Sequence, residues 1–121
     1  MRQEESRTDL GTVKIHKNVI ASIASLAALQ IEGVRRVGSG FRNGFLEFLG
    51  RDFGSAVKVD ISKNGEVRVE IPLVIAYGYN IPEVANKAQE NIRNSLEKMT
   101  NLSVKDIDIN VQAIEKPQEV K

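Results

Sequence analysis

The sequence predicts a two-layer α+β domain, in the order β-α-β, an aromatic insert, then β-β-α-β. Its sheet is mixed and carries two main helices on one face. Three observations lead there. Apolar residues keep one parity through Val57, Val59 and Ile61 and again through Val67, Val69, Ile71, Leu73 and Ile75, which is the period of a strand. A capped run of helical period follows at 79–101, and strict alternation returns at 105–113. Every strand so read has one polar face, so helices cover a single side of the sheet.

Each element follows from its own residues. Residues 1–9 and 116–121 are charged and without periodicity, and read as mobile ends of a single domain, 10–115. "TVKIH" (12–16) alternates, with Val13 and Ile15 on one face. From Asn18 the period changes: Val19, Ile20, Ile23, Ala27 and Ile31 fall at helical spacing, Ala24 and Ala28 allow close packing, and Gly33 stands where a C-cap belongs. "VRRV" (34–37) reads as a short strand. Between the two parity-matched strands lies Asn64-Gly65, which suggests a two-residue hairpin turn. That turn would set Ile61 opposite Arg68. A three-residue loop, Lys63-Asn64-Gly65, instead pairs Ile61 with Val67 and Val59 with Val69, so parity favours the longer loop. Pro72 cannot donate to a ladder and implies an edge strand or a bulge.

The second helix has the strongest signals. Asn80 is a suitable N-cap, Glu83 completes a capping-box spacing, Pro82 lies in the first turn, and Tyr79 with Val84 has staple spacing. Val84, Ala85, Ala88, Ile92, Leu96 and Met99 form one stripe, and Asn101 can close the helix. In the last strand Ile107, Ile109, Val111 and Ala113 point inward.

Composition removes several classes of function. Seventeen Lys+Arg against sixteen Asp+Glu leave +1, far from the concentrated basic face that nucleic acid demands. There is no cysteine, hence no disulfide, thiol nucleophile or thiolate metal site. No apolar run approaches the ~18 residues of a membrane span, and "MRQEESRTDL" is unlike a signal peptide, so the cytoplasm is the expected location. His16 is the only histidine and has no neighbouring ligand. Ser22, Ser25, Ser39 and Ser55 lack a nucleophile-elbow context. Asp106 and Asp108 share a strand face, but Asn110 and Gln112 continue it as a solvated surface. Gly38, Gly40 and Gly44 miss the dinucleotide fingerprint, and no Gly-Lys-Ser/Thr follows. No catalytic residue, cofactor, metal or small-molecule substrate is expected.

What stands out is "GSGFRNGFLEFLGRDFG" (38–54), which holds all four phenylalanines. Phe41, Phe45 and Phe48 stand at i, i+4 and i+7 with Leu49 alongside and Leu46 and Phe53 on the shoulder, one face of a short helix over about 41–49. Each phenylalanine buries on the order of 150–250 Å², whereas the largest apolar patch of a monomer is ~300–600 Å². Either these rings pack on the domain itself, or they dock on another subunit or a protein anchor. A bilayer surface is a third candidate, but Arg42, Asn43 and Glu47 make only a weak polar face for it. Arg35, Arg36, Arg42 and Arg51 flank the insert and support an alternative, a small RNA-binding regulator. Against it, the strands carry no aromatic before Tyr77, and Gly40–Gly44 encloses three residues where a KH clamp has two.

Several motifs carry a family resemblance. "GTVKIHKNVIASIASLAALQIEGV" with "GSG", then Tyr77-Gly78 with Asn80-Ile81-Pro82-Glu83-Val84-Ala85, Gln89-Glu90-Asn91, Met99-Thr100 and "DINVQAI" resemble the alkaline shock and general stress proteins of the bacterial envelope stress response. The resemblance covers about 10–115. It departs at Asn101, where glycine is usual, and in the more aromatic insert. It implies a cytoplasmic, non-enzymatic protein that forms homo-oligomers and is held near the inner face of the membrane by a membrane-anchored protein partner. It brings no catalytic residue and no cofactor.

Overall fold

The computed structural model describes residues 4–8, 11–38 and 56–116. In chain order these form β1 (Glu4–Thr8), β2 (Gly11–Ile15), α1 (Lys17–Leu29), β3 (Val34–Val37), β4 (Lys58–Ile61), β5 (Glu66–Ala76), α2 (Ile81–Thr100) and β6 (Ser103–Glu115). The α+β class, the mixed sheet and the two helices are as predicted.

The sheet is built around β5. β6 runs parallel to it along its full length, from Glu66↔Ser103 to Ala76↔Glu115, with α2 as the crossover that parallel strands require. A strand has two edges, so β3 and β4, both antiparallel to β5, share the other one. Val34–Val37 lies opposite Ile75–Leu73 and Lys58–Ile61 opposite Glu70–Val67. β3 and β4 are therefore one edge strand, broken at the level of Ile71 and Pro72. That break corrects the expectation for Pro72, which sits in the central strand and not at an edge. Its carbonyl accepts from the Gly38 amide at 3.0 Å, and its missing N–H falls in the gap where β3 gives way to β4.

Parity does set the hairpin register. Ile61 pairs with Val67 and Val59 with Val69, and the loop is Lys63-Asn64-Gly65. The Ser62 amide donates to the Glu66 carbonyl at 2.9 Å and Gly65 takes φ +84°, as a bulged three-residue loop requires. The Ser62 hydroxyl accepts from the amides of Asn64 and Glu66, each at 3.2 Å.

Val67, Val69, Ile71 and Leu73 of β5 are buried and face both helices. α1 contributes Ile20, Ala24, Ala27 and Ala28, and α2 contributes Ala88, Ile92 and Leu96. Fully burying one Ile or Leu side chain is worth about 1.5–3 kcal/mol. Small residues on α1 bring it close to α2, where Asn91 Nδ2 donates to the Ala27 carbonyl at 2.8 Å. α2 begins as read: Asn80 Oδ1 accepts from the Glu83 amide at 3.0 Å, and Asn101 closes the helix at φ +62°.

Five local readings need correction. Residues 4–8, expected within a mobile end, form β1 and pair with β2 from Glu4↔Ile15 to Thr8↔Gly11; backbone pairing leaves no trace in apolar periodicity. α1 ends at Leu29 with Gln30 as its cap in right-handed conformation, so Gly33 serves the turn into β3 instead. Val19 is exposed, one position off the buried stripe. Met99 is exposed too, and Thr100 takes the buried place, its hydroxyl donating to the Leu96 carbonyl at 2.5 Å and accepting from the Leu102 amide at 3.2 Å. Ala113 is exposed because β6 changes register between Leu73↔Val111 and Val74↔Ala113, which ends the alternation.

Candidate functional site

Phe41, Arg42, Phe45, Leu46, Phe48, Leu49, Arg51 and Phe53, the contact residues expected from sequence, lie outside the described residues. The structure does describe where their segment joins the sheet. Gly38 follows β3 and Ala56 stands just ahead of β4, on either side of the break in the edge strand. The described chain thus leaves this sheet edge at Gly38 and resumes at Ala56, both at the break between β3 and β4. A cleft of about 260 Å³ on the sheet's outer face lies at that point, lined by Ala56, Lys58, Glu70, Pro72, Asn110 and Gln112.

The outer face is polar and of mixed charge. Arg68 pairs with Asp106 at 3.5 Å and Lys105 with Glu66 at 3.8 Å. Such exposed pairs contribute little to stability. Among the described residues no group of His, Cys, Asp and Glu side chains could hold a metal ion. His16 is exposed at the N-cap of α1 and makes no side-chain cap hydrogen bond.

The family-motif residues Tyr77, Gly78, Asn80, Ile81, Pro82 and Glu83 form the corner between β5 and α2. Gly78 takes φ +98° in open space, so conformation alone calls for glycine there. Asn80, Pro82 and Glu83 build the first turn of the helix. Tyr77 and Ile81 have no such role; they are 60% and 37% exposed, beside Tyr79 at 41% and Ile114 at 42%. Around these apolar groups runs a charged rim that sequence reasoning missed. The Tyr77 amide donates to the Glu115 carbonyl at 2.8 Å, and Lys116 Nζ stands 5.5 Å over the Tyr77 ring, within cation–π range. Tyr79 donates its hydroxyl to Glu32 at 3.1 Å, and this bond to a carboxylate raises the phenol's pKa above its ordinary value.

Glu115 joins the two edges of the sheet. Its carboxylate accepts from Arg35 at 3.1 Å and from Arg36 at 2.5 Å, both on β3. The hydrogen bond from Arg35, with Arg36 close by, holds its pKa below the usual glutamate value despite some desolvation. A depressed carboxylate stabilises the fold above its unfolded pKa, near about 4.3, and loses that contribution as pH falls through the folded value. Glu115→Gln should therefore melt below the parent at neutral pH and converge with it in acid, as thermal scans across pH would record. Two of the four arginines behind the RNA reading are thus engaged with a carboxylate.

Comparison with known proteins places the chain in a family. A family model described as having cell envelope-related function matches residues 5–116. The chain belongs to the alkaline shock protein 23 family. YqhY of Bacillus subtilis is 37% identical over 125 residues, spanning 100% of this chain and 92% of YqhY. YloU of the same organism is 28% identical, spanning 91% of this chain and 93% of YloU. Among solved structures, a MamM CTD superposes with a TM-score of 0.51 at 11% identity, covering 84% of this chain and 100% of that one. That likeness concerns the fold alone. Membership bears out the resemblance drawn from the Tyr77–Ala85 motif and its companions. Among the described residues no helix is long and apolar enough to cross a membrane.

Proposed function

We propose that this member of the alkaline shock protein 23 family is a non-enzymatic scaffold of the cell envelope. It self-associates in the cytoplasm and docks on a membrane-anchored protein partner at the inner face of the membrane. The observation that carries this reading is compositional: all four phenylalanines lie in residues 39–55, between Gly38, which follows β3, and Ala56, which precedes β4. The envelope-related function of the family agrees with it.

Light scattering over a concentration series, on the parent and on Phe45→Asp/Phe48→Asp, tests the reading. A charged carboxylate in a dry contact is costly, so the double variant should keep its circular dichroism spectrum and lose association. In fractionated cells the parent should sediment with membranes and the variant should not. A parent that stays monomeric at every concentration and never sediments with membranes would overturn the proposal.

A further inference from the structure

The two edges of the sheet are defended differently. The β3/β4 edge consists of two four-residue strands bearing Arg35, Arg36, Lys58 and Asp60, the short and charged kind that resists pairing. β6 is thirteen residues long, and among the described residues it pairs with β5 alone. Its first half is covered from α2: Arg93 donates to the Val104 carbonyl and Gln89 to the Ile107 carbonyl, each at 2.6 Å. Beyond Asp108 comes "INVQAI", six residues with neither a charge nor a proline.

Backbone direction follows from these contacts. Ile107 turns its carbonyl outward to Gln89, so by alternation Ile109 and Val111 also present N–H and C=O to the outside. The register shift after Val111 interrupts this, and Glu115 turns its carbonyl back to Tyr77. Among the described residues no strand faces the outward groups of Ile109 and Val111.

We propose that two copies of the chain pair antiparallel through this stretch, about a two-fold axis at Asn110, joining their sheets into one. This rests on the self-association proposed above and gives it a surface. In that register Ile109 of each copy meets Val111 of the other, outward backbone against outward backbone and half-buried apolar side chain against its like. On the polar face Asp108 meets Gln112, a carboxylate opposite an amide donor, and Asn110 meets Asn110, each able to donate and accept. The stretch is thus its own complement, as a two-fold contact requires. Such a contact closes after two copies.

The chain has no cysteine, so a single introduced thiol reports directly. Asn110→Cys, mildly oxidised at a concentration where the parent associates, should become mostly disulfide-linked dimer. Ser103→Cys, on the same strand but far from its own copy, should give only a trace. In the unmodified protein, hydrogen exchange at the Ile109 and Val111 amides should slow as concentration rises. If the parent associates yet Asn110→Cys links no better than Ser103→Cys, and exchange does not change with concentration, the β6 pairing is overturned while the scaffold reading stands. If exchange at β6 slows only when an extract containing other proteins is added, the edge takes a foreign strand, and the two-fold pairing is again overturned. A parent that is monomeric throughout removes both.

Discussion

Ile92→Ala is expected to cost about 2–5 kcal/mol, in the upper part of that range. Ile92 is 0% exposed on the buried stripe of α2, in the core cluster shared by α1, α2 and the sheet. The cost of a deletion depends on how far its surroundings collapse into the hole. In the same core α1 buries Ala21, Ala24, Ala27 and Ala28, which have no side-chain torsion with which to fill space. The backbones are fixed as well, because Asn91 ties α2 to the Ala27 carbonyl and to Gln30 at 2.8 and 3.0 Å. Ile92→Val should cost about 0.5–1.5 kcal/mol, and the pair of values calibrates the site. Urea midpoints measured at one fixed protein concentration give both, since association would otherwise shift them. A loss below about 1 kcal/mol for the alanine variant, well under the usual range for such a deletion, would mean that α1 and α2 do not meet where the structure has them.

The parts of the fold visible in the sequence are those where a side-chain period meets a local capping signal. Asn80 and Asn101 bound α2 to within a residue because each satisfies a helix-end backbone group by itself, Asn80 the Glu83 amide and Asn101 the Glu97 carbonyl. The β4–β5 register is legible for a different reason. One slip would have turned Val67, Val69 and Ile71 out to water, a larger effect than any turn preference. What stayed hidden depends on contacts distant in sequence. The β1–β2 pairing is made by backbone groups, and the shared edge of β3 and β4 follows only once β6 is known to occupy the other side of β5. Met99 and Thr100 show the limit of a stripe: near the helix end a hydroxyl that bonds the Leu96 carbonyl is buried in preference to the longer apolar chain.

The candidate site divides in the same way. Tyr77 and Gly78 stand out in sequence through the family motif, and Asn80 also as a helix cap. The partners that surround them do not, since Arg35 and Glu115 are 80 positions apart and Glu32 and Tyr79 are 47 apart. No periodicity reports such pairs. The phenylalanine cluster is conspicuous by composition alone, and the structure adds the location of its two ends.

Gly33→Ala is the second substitution expected to do large damage, about 2–4 kcal/mol, from two separable causes. The residue holds φ +104°, where a side chain is strained in any surroundings. A Cβ there would also stand 2.9 Å from Val84 Cγ2 and 3.0 Å from Tyr79 Cδ2. Tyr79 is partly exposed and can yield; Val84 is buried and cannot without moving the start of α2. Displacement would spread further, because the Gly33 carbonyl accepts from the Ala76 amide at 2.7 Å, at the very end of the central strand. Gly78 isolates the first cause, having φ +98° with nothing within 4 Å of its absent Cβ. Gly78→Ala should therefore cost about 1–2 kcal/mol, the conformational part alone. The difference between the two alanine variants measures how tightly the Tyr77–Val84 corner is packed on the turn after α1. Equal losses in urea denaturation would show that packing at Gly33 relaxes freely, and that Val84 does not anchor α2 there.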